Sequence, residues 1–181
     1  MRLLLLRHAK SDWNKDADDH HRPLSARGRK AAPLVGLYMR RKEYLPQADL
    51  CSTAERTRET LDLLLASWAR KPTVRYDREL YLAEWPALLA SLKKAPARAS
   101  PLLLVGHNPG MEQLAVALAA QPKAAVERTG LQRLTQKFPT AALAVLDFEI
   151  ASWRRLKPGS GQLADFVRPK DLSGGSEADE T

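Results

Sequence analysis

The 181-residue sequence predicts an α/β fold of three αβα layers, with a mainly parallel central sheet covered by helices on both faces. Three observations lead there. Strand-like apolar runs alternate with helix-like segments along the chain. Two of those runs, LLLL at 3–6 and LLLV at 102–105, are the continuous kind that suits strands buried on both faces. The length supports one well-packed domain and is short for two.

The elements follow in order. RLLLLRH at 2–8 reads as a strand, followed by a loop to about Pro23 and a helix to about Lys42. ADLCS at 48–52 is a short strand running straight into TAERTRETLDLLLASWAR, a helix over 53–70. Ser52 followed three residues later by Glu55 has capping-box spacing, which predicts Ser52 as the helix cap. TVRYD at 73–77 fits an edge strand, and EWPALLASLKKA at 84–95 another helix. SPLLLVGH at 100–107 repeats the opening pattern; a helix over 110–120 follows, with Asn108 as its predicted cap and Pro109 at its first position. AALAVLDFEI at 141–150 and SWRRLKP at 152–158 read as two strands near a turn. The chain divides into a single domain over 1–170 and an acidic tail over 171–181, whose Gly, Ser and acidic composition predicts disorder.

Composition narrows the function classes. A single cysteine, Cys51, excludes an intramolecular disulfide and a cysteine-based zinc site. The N-terminal apolar run is shorter than the ~7–15 residues of a signal-peptide core, and no stretch reaches the ~18 needed to span a bilayer, so a cytoplasmic protein without a membrane partner is expected. The formal charge is +8, although the last nine residues hold Glu177, Asp179 and Glu180 and no basic residue. That excess suits an anionic partner or phosphorylated substrate. The basic residues lack the aromatic interleaving of a single-strand platform, so nucleic acid is not the expected ligand.

Ligands of such sheets sit beyond the carboxyl ends of the strands. Three predicted strands end there on notable residues: Arg7 and His8; Ser52 with Arg56 close behind; and His107 with Asn108. Arg56 falls in a first helical turn, where the dipole disfavours a cation by about 0.3–1 kcal/mol unless an anion is present. The alternative is pairing with Glu59 or Asp62 on its own helix. A strand-held histidine among arginines has the parts for phosphoryl transfer, a nitrogen nucleophile and cations around the phosphoryl oxygens. A metal site built from His8, His20, His21 and His107 is the chemical rival, weakened by arginines that would repel a cation and by the lack of HExxH-type spacing.

These residues resemble the histidine phosphatase superfamily. Arg7-His8-Ala9 is similar to its RHG-type signature, with alanine in place of glycine; SxAxRTxxT from Ser52 to Thr60 resembles its second element; GHNPG at 106–110 resembles the segment bearing its second histidine. RPLSARG at 22–28, the compact length and the RHAKSDW opening are most similar to SixA-like phosphohistidine phosphatases, and the match runs in order over residues 1–150. The resemblance implies a phosphoglycerate-mutase-like fold and a phosphatase that needs no cofactor or metal, with His8 as the phosphorylated nucleophile and Arg7, Arg56 and His107 holding the phosphoryl group. It also implies phosphate-binding roles for Arg22 and for Asn14, which matches an asparagine of phosphoglycerate mutase relatives. Glu84 in LYLAEW is the candidate general acid, set against a plain role at the start of its helix. An alkoxide leaves an ester poorly, whereas imidazole leaves a phosphohistidine with less help. A Glu84 that only opens its helix would therefore point to a phosphohistidine or another good leaving group. The implied substrate is a phosphorylated protein histidine or a small phosphate. The alternatives are a phosphomonoesterase or mutase acting on sugar phosphates, and a basic module that binds phosphorylated ligands without turnover.

Overall fold

Leu3, Leu4, Leu5 and Leu6 are completely buried, and because successive strand residues face opposite sides they divide between two cores. Burying each is worth roughly 1.5–3 kcal/mol, which makes this strand the anchor of the fold. The structure is a computed structural model that describes residues 1–13 and 17–173. Its strands are β1 (Arg2–Arg7), β2 (Ala48–Ser52), β3 (Thr73–Asp77), β4 (Leu102–Gly106), β5 (Leu143–Asp147) and β6 (Gln162–Val167). They form one sheet in the order β3-β2-β4-β1-β5-β6. The four strands from β3 to β1 are mutually parallel, while β5 runs antiparallel to both β1 and β6.

The helices are α1 (Ala26–Arg41), α2 (Glu55–Leu65), α3 (Trp85–Lys93), α4 (Gly110–Leu118), α5 (Ala125–Gln136) and α6 (Pro169–Leu172). Val35 and Met39 of α1 and Leu61 and Leu64 of α2 pack with Leu4 and Leu6 on one face. Leu88 and Leu92 of α3, Leu114 and Leu118 of α4 and Leu134 of α5 pack with Leu3 and Leu5 on the other. The three layers and the mainly parallel sheet are as the sequence predicts, and β3 is an edge strand.

Departures occur late in the chain. The segment expected as a strand over 152–158 is a single 3₁₀ turn, Trp153–Arg155, because Trp153 turns inward, is fully buried and donates its indole N–H to Ala99 O at 2.8 Å. The last strand is instead β6, whose alternation is masked by Asp165; that carboxylate accepts from Tyr38 Oη at 2.5 Å. Helix α5 has no counterpart in the sequence reading, since Leu134 is its one fully buried side chain. Helix α6 crosses the boundary placed at 170, with Asp171 paired to Arg168 at 2.9 Å. The tail beyond residue 173 lies outside the described residues. Among the described residues, no helix is long and apolar enough to cross a membrane.

Candidate active site

Parallel pairing sets the centre of the site. β1 and β4 are neighbours with Arg7 opposite Gly106, so the next residues, His8 and His107, leave adjacent strand ends together. His8 N donates to Gly106 O at 3.1 Å, and the two imidazole centroids stand 5.2 Å apart. Both rings are buried.

The tautomer of His8 follows from its partner. Nδ1 lies 2.7 Å from the carbonyl oxygen of Ala9, which only accepts, so Nδ1 carries the proton and Nε2 keeps its lone pair. Burial, reinforced by Arg56, Arg7 and Arg22, pushes the His8 pKa down to about 3 despite the opposing bond to Ala9. The ring is therefore neutral at physiological pH, with the Nε2 lone pair available for bonding. Ala9 itself is held by Thr60, whose Oγ1 accepts the Ala9 N–H at 2.9 Å and donates to Arg56 O at 2.6 Å. Alanine in the glycine position of the RHG-type signature brings no strain, because Ala9 is not among the residues with positive φ.

His107 Nε2 is 2.8 Å from Ser52 Oγ, and burial, followed by the neighbouring His8 ring and the Arg56 charge, brings its pKa down to about 2. Ser52 is therefore not the cap of α2; Ala54 occupies that position, and the Ser52 hydroxyl faces the histidine instead. Asn108 is not a cap either. Its Nδ2 donates to Glu112 Oε2 at 2.8 Å and to Phe138 O at 3.1 Å, while Pro109 precedes α4. Arg7 Nη1 donates to the same Phe138 carbonyl at 2.8 Å.

Around these rings lies a cleft of about 290 Å3, bordered among the described residues by Arg7, Lys10, Arg22 and Arg56 as cations and by Asp19 as the carboxylate. Arg56 is 1% exposed and pairs with neither Glu59 nor Asp62. It donates through Nη2 to Asp19 Oδ2 at 2.9 Å and through Nη1 to the Asp19 carbonyl at 2.5 Å. Arg22 Nη2 reaches Asp19 Oδ1 at 2.5 Å, and its guanidinium lies 3.4 Å from the Trp13 ring centroid. Tyr81 Oη also donates to Asp19. Partial burial raises the Asp19 pKa, but Tyr81, Arg56 and Arg22 outweigh it and hold the carboxyl below its usual range.

The structure thus brings together Arg7, His8, Arg22, Arg56 and His107, and it leaves Glu84 out. Glu84 is exposed, sits at the N-cap of α3 without a side-chain capping bond and does not line the cleft. Asn14 lies outside the described residues. His20 and His21 border a separate cleft with Thr53 and Glu55, and among the described residues no group of three or more His, Cys, Asp or Glu is arranged to hold a metal. Asp19, Tyr81, Thr60 and Trp13 are additions to the site. Of these only Asp19 left a signal in sequence, an acid three residues before Arg22 in the loop after the first strand.

Known proteins resemble this chain in sequence and fold. Residues 3–88 match the family model of the histidine phosphatase superfamily (branch 1). An uncharacterised protein of Mycobacterium tuberculosis is 34% identical over 165 residues, covering 91% of this chain and 100% of that protein. The structure of a SixA protein from Nakamurella multipartitia superposes with a TM-score of 0.80 at 30% identity, over 93% of this chain and 95% of that one. The corresponding protein from Agrobacterium tumefaciens gives 0.75 at 30% identity, over 93% and 97%. With a family model matched over residues 3–88 and relatives at 30% identity or more matched along nearly their whole length, the chain belongs to the histidine phosphatase superfamily.

Proposed function

We propose that this protein is a phosphohistidine phosphatase that works through a covalent phosphohistidine on His8. The observation that carries the reading is the bond from His8 Nδ1 to Ala9 O at 2.7 Å, which leaves Nε2 as an uncharged nucleophile inside a cationic cleft. Nε2 attacks the phosphorus as the bond to the leaving group breaks. Water then attacks the same phosphorus, the bond to Nε2 breaks, and inorganic phosphate departs. Charge on the phosphoryl oxygens is met by Arg7, Arg22 and Arg56, each of which keeps a buried Nε–H without a partner among the described residues. An unsatisfied buried donor costs about 1–3 kcal/mol, which an oxygen of the bound group would offset.

Two observations favour a phosphorylated imidazole over an ester. Glu84 does not border the cleft, and Asp19, which does, is held ionised and so is a poor proton donor to an alkoxide. An imidazole protonated on its other nitrogen leaves as a neutral base and needs no such acid. The substrate is thus a phosphorylated protein histidine or a small phosphoramidate-type phosphate. The test is rapid-quench trapping with a phosphohistidine peptide: acid-labile phosphate should appear on His8 in wild type and be absent from His8→Ala, with turnover abolished. Full activity in His8→Ala would overturn the proposal, and equal rates on sugar phosphates would assign the phosphomonoesterase alternative.

A further inference from the structure

A second cavity, of about 110 Å3, opens beside the cleft and shares Lys10 and Thr140 with it. Among the described residues its charged lining is cationic throughout: Lys10, Arg27, Arg168 and Lys170. Asp171 is the carboxylate at hand, and it is engaged by Arg168 at 2.9 and 3.1 Å and also by Arg133. Among the described residues, no carboxylate is ion-paired with Lys10, Arg27 or Lys170. Arg27 also stands in the first turn of α1, which holds no acidic residue, where a cation is disfavoured without an anion nearby.

The backbone explains why these charges are held together. Ser25 donates to Lys10 O through its N–H at 2.9 Å and its hydroxyl at 3.0 Å. At Gly28 a Cβ would stand 2.2 Å from that same oxygen, so glycine lets the first turn of α1 lie directly on the loop after His8 and brings Arg27 beside Lys10. On the other side Ala141 N donates to Arg7 O at 3.1 Å and His8 O at 3.0 Å, which seats Thr140 at the junction of the two cavities. The annex is therefore fastened to the same backbone that carries the nucleophile.

We propose that this annex is a second anion subsite, binding a carboxylate or phosphate group that the substrate carries in addition to the phosphoryl being transferred. It rests on the phosphatase reading of the cleft and adds to it a preference for substrates with a second negative group. Lys10, Arg27 and Lys170, without ion-pair partners among the described residues, repel one another, and an anion spanning from the cleft relieves that repulsion as it binds.

The test uses the full chain and two phosphohistidine peptides of equal length, flanked by Asp and Glu in one and by Asn and Gln in the other. A small phosphoramidate and its bisphosphate counterpart, bearing one further phosphate, form a second pair. In 50 mM salt the acidic member of at least one pair should show kcat/KM at least about fivefold higher, with the advantage shrinking toward unity in 500 mM salt. The Arg27→Gln/Lys170→Gln double variant should reduce the ratio to below about twofold. A gain in the peptide pair assigns a protein source for the anion, and a gain in the bisphosphate pair a small-molecule source. Equal rates within both pairs, or a preference that survives the double variant, would overturn the subsite. A chain ending at Ser173 that alone raises the neutral peptide's rate tenfold would assign the annex to the acidic tail and also overturn it. Binding of the same peptides to His8→Ala reads the annex without turnover, so a cleft that hydrolyses nothing counts against the phosphatase reading and leaves the fivefold affinity difference to decide the annex.

Discussion

Asp19 and Arg56 are joined twice, side chain to side chain at 2.9 Å and backbone carbonyl to guanidinium at 2.5 Å. Asp19 thus aligns a deeply buried arginine while placing a negative charge at the edge of a cleft meant for an anion. Asp19→Asn keeps the carbonyl contact and removes the charge. Inorganic phosphate should then inhibit at least about threefold more tightly, while kcat falls by about tenfold as Arg22 and Arg56 lose their alignment, since a hydrogen bond to a charged group is worth about 1.5–3 kcal/mol. Product-inhibition kinetics measure both, and weaker phosphate inhibition would contradict the charge argument.

Thr60 is a positioning residue. It links the backbone just after His8 to Arg56 O without itself lining the cleft. Thr60→Val leaves the Ala9 N–H buried and unpaired, at a cost of about 1–3 kcal/mol. The expected result is a 10- to 100-fold loss in kcat with KM changed less than about threefold, and rescue by Thr60→Ser. Steady-state kinetics on the two variants decide it, since a purely structural role would leave kcat per folded molecule unchanged.

The buried histidines make the fold acid-sensitive. His8 and His107 hold pKa values of about 3 and about 2, against about 6.5 for the unfolded ring. Below about pH 6.5 the unfolded chain takes up protons that the folded chain refuses, so this stability is fully present above that pH and is lost as pH falls toward the folded values. Urea denaturation from pH 7.5 to 5 should show the midpoint dropping in wild type and dropping less in His107→Gln. Catalysis should keep its neutral nucleophile throughout that range.

Asp49 acts in the opposite direction. It lies in β2, 1% exposed, with both carboxylate oxygens unpartnered among the described residues, and burial raises its pKa well above the usual value. Its stability contribution is fully present below about pH 3.9, where the unfolded carboxyl is also protonated, and it is lost as pH rises toward the folded pKa. Asp49→Asn cannot ionise, so at pH 8 it should unfold at a higher denaturant concentration than wild type, with the difference vanishing near pH 4. An unchanged midpoint at pH 8 would show that Asp49 is not carried as a buried acid.

How much of this was legible in the sequence varies with the kind of contact. The strand ends are readable because LLLLRH and LLLVGH break an apolar run with costly side chains, whereas Arg56 is readable as a cation in a first helical turn. Ser52 was read as a cap because spacing along one element gives no sign of a histidine arriving from another strand. Asp19 and Tyr81 meet across 62 positions of sequence, a pairing that no local pattern encodes. The segment at 152–158 departs from a strand for a related reason: Trp153 packs into a core formed by distant residues, which its immediate neighbours do not encode.

The pairing of Arg7 with Gly106 has a wider consequence. Two imidazoles carried one step past neighbouring strands inherit the repeat distance of the sheet itself, about 4.8 Å, and their centroids stand at 5.2 Å. The approach of the two imidazoles thus starts from the spacing of hydrogen-bonded backbone, on which side-chain rotamers act only as an adjustment. Helices and loops around it are free to diverge and retune what enters, while the gauge between the two strand ends stays fixed.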